Sequence, residues 1–240
     1  MTMTLENLAE NLADAARDLG SEDVERTLEK SVTLAVELFE GCDGAAVSLL
    51  VRGKGLRTPV CTDEWVASGD ALQYELGEGP CVDAAWEHEI VISDDLCEEE
   101  RWPTWGPRVV ADLGARSMMC VQLFTTETTI GALNMYSKQA NAFDHPGDHY
   151  EAQALAAHVA VALAAAQEIE NLNAALGTRT TIGQAEGILM ERFDLSAERA
   201  FDVLKRVSSH SNVKLHSVAT ELVRTRRLPV SGNDSGPVAH

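Results

Sequence analysis

Cations and hydrogen-bonding side chains crowd into the last quarter of this 240-residue chain. Arg179, Lys205, Arg206, Lys214, Arg224, Arg226 and Arg227 can neutralise phosphates, while Gln184, Ser208 and Asn212 offer hydrogen bonds to base edges. Ala185 and Gly187 are small, so a loop backbone or an unpaired base can come close beside them. Such a set suits a polyanion with accessible bases, and RNA answers that description. Plainer roles compete. Arg224, Arg226 and Arg227 stand where any helix favours cations, at its C-terminal end. Ala185 and Gly187 also suit close helix packing.

The charge distribution sets this region apart. The chain carries a formal −19, with 10 Lys and Arg against 31 Asp and Glu in residues 1–176 and 9 against 6 in residues 177–228. The acidic part repels nucleic acid, so only the C-terminal part is fit to approach a phosphate backbone. No apolar run approaches the roughly 20 residues that span a bilayer. The opening "MTMTLENLAENLADAARDLG" has neither the basic nor the apolar segment of a secretory signal, so a cytoplasmic protein with no membrane partner is expected.

Cys42, Cys61, Cys81, Cys97 and Cys120 are odd in number, widely spaced and without a C-x-x-C pair, which argues against a disulfide framework and a zinc site. His88, His145, His149 and His158 show no metal or haem spacing, and no cofactor is expected. Cys81 follows "GEGP", with Pro80 suited to a first helical turn, where a thiol's pKa can fall. Asp83 opposes that fall, and a structural cysteine is expected.

Elements must position these groups. Helical spacing marks Leu5–Leu19 and the stripe Val24, Leu28, Val32, Ala35, Phe39, which Gly41 closes. Strands are predicted at 45–51, around 58–65, and at 89–93, 117–124 and 129–137, with a loop and short helix over 101–114 that stops at Gly114. Helices flanking a mostly antiparallel sheet make an α+β, sensor-like domain. The predicted division is an N-terminal helix in 1–22, the sensor domain at 23–150, a linker helix at 151–177, a three-helix unit at 178–228, and a disordered tail at 229–240.

In the linker, Ala152, Leu155, Val159, Ala162, Ala166, Ile169, Asn173 and Leu176 repeat at alternating steps of 3 and 4, an a/d heptad seam. A lone Asn at an a position fixes register and favours two strands, so a parallel homodimer is expected. Ala156 and Leu163 widen the apolar face, which would let the first half pack on its own sheet as well. Beyond Thr178 three stripes follow: Ile182, Ala185, Leu189, Phe193; then Ala200, Val203, Leu204, Val207 after Ser196 as N-cap; then Leu215, Val218, Ala219, Leu222, Val223 with Ser211 or Asn212 as cap.

The stretch "TTIGQAEGILMERFDLSAERAFDVLKRVSSHSNVKLHSVATELV" resembles the ANTAR domain, a three-helix RNA-binding unit of bacterial transcription antiterminators. The shared positions are Arg179, Ile182, Gln184, Ala185, Gly187, Ile188, Leu189, Met190, Ala200, Phe201, Leu204, Ser208, Asn212, Lys214, Leu215, Val218 and Ala219. Many members carry Lys where this chain has Glu186, which removes one phosphate contact. The resemblance implies binding of paired six-base-loop stem–loops in leader RNA, so that a terminator hairpin does not form. A dimer would join two such grips and gain avidity of roughly 10²–10⁴.

"LGEGPCVDAAW", "ISDDLCEEERWPTW", "GARSMMCVQLF" and "IGALNMYSKQANAFD" resemble a GAF domain of the actinobacterial type over about residues 25–165. That resemblance implies a signal-input module open to an unknown small-molecule ligand.

Two rivals come from other classes. The last two helices, joined by "SSHSN", also resemble a DNA-binding helix-turn-helix, but the N-terminal half "KLHSVAT" of the last helix carries only Lys214. A cysteine-based sulfoxide reductase of GAF type would need two or three thiols around one pocket.

Overall fold

The computed structural model describes residues 23–228, apart from 52, 87–89, 127 and 146. The predicted N-terminal helix, the tail beyond 228 and His88 lie outside the described residues. The chain divides into two compact units, Met1–Glu168 and Ile169–His240.

In the first unit, α1 (Val24–Leu38) starts at Asp23, whose carboxylate accepts the Arg26 N–H at 2.9 Å. The strands β1 (Gly44–Val51), β2 (Gly55–Cys61), β3 (Ile90–Ser93), β4 (Ser117–Phe124) and β5 (Thr129–Ser137) form one sheet in the order β2-β1-β5-β4-β3. All four pairings are antiparallel. Three short helices, α2 (Glu64–Leu76), α3 (Pro80–Trp86) and α4 (Trp105–Leu113), lie between strands in the chain.

Side-chain alternation along the strands builds two cores. Ala45, Val47 and Leu49, Met119, Val121 and Leu123, and Leu133 and Met135 pack with α1 and with Leu155, Val159 and Leu163. Ala46, Met118, Cys120, Ala132 and Tyr136 point the other way, into a cluster with Val66, Cys81, Trp102 and Trp105. The central strands approach closely at Gly131, where a Cβ would collide with the Ser48 carbonyl oxygen.

The strands at 117–124 and 129–137 stand where the sequence places them, and Gly114 closes α4 with φ 72°. The expected strand around 58–65 is corrected: β2 ends at Cys61, and α2 begins at Glu64.

Helix α5 runs unbroken from Asp148 to Phe193. One window of it reaches a mean hydropathy of 1.3, apolar enough by length and composition alone to suit a membrane. Its apolar residues have another use. Ala152, Leu155, Val159 and Ala166 are buried in the folded chain, and Ala162 is partly buried against the sheet's first core. The heptad seam is therefore corrected over 152–166, because these side chains fill the chain's own interior. Ile169, Asn173 and Leu176 are exposed, as is Leu172.

The second unit packs the end of α5 with α6 (Ala197–Ser211) and α7 (Leu215–Thr225). Ala185, Leu189, Ala200, Leu204, Val218, Ala219 and Leu222 form its core. Ser196 caps α6, accepting the Arg199 N–H at 3.4 Å. The predicted cap of the last helix is corrected. Lys214 holds that position, and Asn212 instead ends α6 in the left-handed region, φ 52°, a conformation Asn tolerates better than most residues.

Candidate nucleic-acid interface

The three-helix bundle sorts the predicted RNA contacts into three groups. Arg179, Lys205, Arg206 and Lys214 are exposed, and no ion pair holds any of them among the described residues. Gln184 and Gly187 are exposed on α5, and a Cβ added to Gly187 would meet nothing within 4 Å. A glycine inside a helix costs about 1 kcal/mol relative to alanine. Packing gives Gly187 no compensation, so the helix backbone there is bare to solvent.

Most of the remaining residues have work inside the fold. Ala185 is fully buried in the three-helix core, so its predicted contact with RNA is corrected to helix packing. The Ser208 hydroxyl donates to the Val213 carbonyl at 2.6 Å and locks the α6–α7 turn. Arg224 pairs with Glu221 at 2.7 Å within α7. Arg226 ends α7 in the left-handed region, and its carbonyl accepts from Arg192 Nη1 at 2.7 Å. Arg227 is exposed just beyond. Asn212 is exposed but held by its role as helix terminus.

Two grooves flank the α5 segment of this bundle. One, toward α7, is lined by Gln184, Gly187, Glu191, Arg192 and Arg226. The other, toward α6, is lined by Arg179, Ile182, Gly183, Glu186 and Phe201. Sequence reasoning passed over Gly183 and the exposed ring of Phe201. The signal available was a second helical glycine four residues before Gly187.

The first unit holds a polar cluster in its second core. Asp70 is fully buried on α2 and accepts from Tyr136 Oη at 2.7 Å, Thr58 Oγ1 at 2.8 Å and Asn134 Nδ2 at 3.0 Å. Burial raises its pKa, and these donors pull it back. Gln73 bridges the cluster to α3, donating to Tyr136 Oη at 2.8 Å and accepting the Cys81 N–H at 2.8 Å. Cys81 is fully buried, with its Sγ 3.1 Å from Ser48 Oγ. Burial, with the Asp70 charge second, pushes its thiol up to about 12. Cys120 is also fully buried and raised well above the ordinary thiol value. These are conditions that keep a thiol protonated and unreactive.

A family model described as a GAF domain matches residues 21–164. The chain belongs to the GAF domain family. A second model, described as an ANTAR domain, matches residues 170–223. A GAF domain followed by an ANTAR domain is the architecture of an RNA-binding antitermination regulator with a sensor module.

No curated protein matches the chain. Among solved structures, the GAF domain is similar in fold to the GAF domain of an Acinetobacter phosphoenolpyruvate-protein phosphotransferase. That match has 16% identity and a TM-score of 0.52, covering 70% of this chain and 99% of that one. It is also similar to a free methionine-R-sulfoxide reductase from Neisseria meningitidis, at 18% identity, TM-score 0.53, and 70% and 95% coverage. A phytochrome photosensory core module from Stigmatella aurantiaca matches at 12% identity and TM-score 0.60 over 91% of this chain and 47% of that one. At such identities the likeness is one of fold. Among the described residues of this GAF domain, no group of three His, Cys, Asp or Glu side chains could hold a metal ion.

Proposed function

We propose that the chain is a cytoplasmic transcription antiterminator whose ANTAR domain binds paired hexaloop stem–loops in leader RNA. In this reading the GAF domain serves as its dimerisation and signal-input module. The observation that carries the reading is the set of exposed cations, Arg179, Lys205, Arg206 and Lys214, which hold no ion pair among the described residues, on an ANTAR domain whose own polypeptide is otherwise strongly acidic. Unpaired surface cations on a three-helix scaffold neutralise phosphates without first breaking an internal ion pair. Gln184 and Gly187 lie together along one groove, where a side chain that both donates and accepts adjoins bare helix backbone.

A homodimer belongs to this reading. Ile169, Leu172 and Leu176 are 57%, 54% and 62% exposed on α5, and large apolar side chains at 3-4 spacing support a helix–helix partner. A second copy would bring two stem–loop grips onto one transcript.

The test is a binding comparison of the full chain with a two-hairpin RNA, one hairpin alone, and a duplex DNA of matched length. Tight binding to the two-hairpin RNA alone is expected. Equal affinity for the duplex DNA would favour the helix-turn-helix alternative.

A further inference from the structure

Resting on the RNA reading, we propose that the groove between α5 and α6 is a pocket for one unpaired guanine of the RNA loop. Phe201 supplies the stacking face, Glu186 reads the base, and Arg179 and Lys205 hold the flanking phosphates.

The groove's order along α5 carries the argument. Arg179, Gly183 and Glu186 follow one another at steps of 4 and 3, so they share one helix face. The first and last stand about 10 Å apart at 1.5 Å per residue. Gly183 lies between them, exposed, with nothing within 4 Å of the position a Cβ would take. An alanine there would make the better helix by about 1 kcal/mol. Packing does not ask for the glycine, whereas a flat ligand lying against the helix does.

On the other wall Phe201 is 38% exposed, although it stands beside Ala200 of the core. A ring left partly in water next to bare backbone offers a base what recognition of unpaired RNA uses, an aromatic surface. Lys205 follows Phe201 by four residues on the same face of α6. The groove thus carries a cation, Arg179, on one wall and a ring on the other, with Lys205 one helical turn beyond the ring; neither cation holds an ion pair among the described residues.

Glu186 decides which base. It is only partly buried, and it makes no hydrogen bond or ion pair among the described residues. A carboxylate only accepts, through two oxygens. The Watson–Crick edge of an unpaired guanine presents two adjacent donors, N1–H and the 2-amino group, which a carboxylate meets with two parallel bonds. Adenine and cytosine each place a ring-nitrogen acceptor next to their amino group, and uracil a carbonyl beside its one N–H. Each of those acceptors would face the carboxylate and repel it. The acidic side chain that costs the domain a phosphate contact here gains a base selectivity instead.

The experiment is selection of a hairpin pool with randomised six-base loops by the full-length protein. Binding is then measured to one selected hairpin and to the same hairpin with inosine or adenine at the enriched position. Guanine should be fixed at one loop position, and adenine there should weaken binding by about 5- to 150-fold, the range for losing a bidentate base contact. Inosine keeps N1–H but lacks the 2-amino group and should fall between the two. Glu186→Gln should erase the preference for guanine at that position. Phe201→Leu should weaken every loop by about 5- to 150-fold, as loss of stacking does, with unchanged helical circular dichroism. Fixed loops without a guanine, or the same guanine preference in Glu186→Gln, overturn the pocket while leaving RNA binding intact. Failure to enrich any hairpin overturns the pocket and the RNA reading together.

Discussion

Tyr136 donates its phenol proton to Asp70 at 2.7 Å across 66 positions of the chain, and both side chains are fully buried. The bond joins β5 to α2 inside the GAF core. It is also one of the donors that make a buried carboxylate tolerable there.

Tyr136→Phe should therefore destabilise the GAF domain by about 1–3 kcal/mol, the range for a buried acceptor that loses a partner. The loss should depend on pH in a definite direction. Asp70 has its folded pKa raised above its unfolded value, chiefly by burial. The stability tied to its protonated form is thus fully present below the unfolded pKa and lost as pH rises through the folded one. Removing the tyrosine donor raises that pKa further, so the variant should lose more at neutral pH than near pH 4. Urea midpoints followed by tryptophan fluorescence at both pH values test this. An equal loss at the two would mean that Asp70 does not ionise in the fold.

The thiols should sort by burial. Iodoacetamide at mildly alkaline pH should label exposed Cys97 first and half-buried Cys61 later. Cys42, Cys81 and Cys120 are buried, and Cys42 and Cys81 are pushed up to about 12, so all three should resist until the protein unfolds. Peptide mass spectrometry reads the order. Cys81→Ser should leave RNA affinity, and any response of that affinity to peroxide, as in the wild type. A peroxide response present in the wild type and absent from the variant would make the domain a thiol switch.

How much of this was legible in the sequence follows from what each element buries. β4 and β5 alternate large apolar residues between two cores, so their limits were readable from composition alone. Helix α2 was not, because the face it buries is Val66, Gly69, Asp70 and Gln73. Those positions keep helical spacing but are mostly not apolar, so no hydrophobic stripe announced the helix or its buried carboxylate. The heptad seam misled for the converse reason. An apolar 3-4 repeat records that a helix face is covered, and here Leu155 and Val159 are covered by the chain's own sheet. Ala185 shows the same ambiguity at one residue, since smallness serves a ligand and a helix neighbour alike.

Only the second half of the seam is free to meet a partner, and this narrows the dimer test. Ile169→Asp combined with Leu176→Asp should give a monomer in sedimentation at concentrations where the wild type is dimeric. The GAF domain's thermal transition should not move, because both side chains are exposed and outside its core. A dimer that persists would place the contact on the GAF domains themselves.

Gly187 offers a test in which stability and function move in opposite directions. Gly187→Ala meets no neighbour, so it should stabilise the three-helix unit by up to about 1 kcal/mol. The added methyl stands where RNA is proposed to approach the helix, so affinity for the two-hairpin RNA should fall. A variant that is both more stable and unimpaired in binding would remove this face from the interface.

The last prediction separates phosphate contacts from base contacts. Arg206 and Lys214 are exposed and hold no ion pair among the described residues, so either alanine variant should weaken all stem–loops alike. Each should also flatten the salt dependence by about 0.7 log unit per lost single-strand phosphate contact. Gln184→Ala should instead reduce discrimination between the selected loop and a scrambled one, by about 1–3 kcal/mol if its contact is bidentate. Asn212 needs a different replacement, because it ends α6 at φ 52°, where alanine would be strained. Asn212→Gly keeps that backbone and removes only the amide. Lost loop discrimination in this variant, with helical circular dichroism intact, assigns Asn212 to the bases, and unchanged discrimination makes it a helix terminus alone. If the Arg206 and Lys214 double variant keeps full affinity and the full salt slope, the cations of this domain are solvated helix surface, and the RNA assignment falls with them.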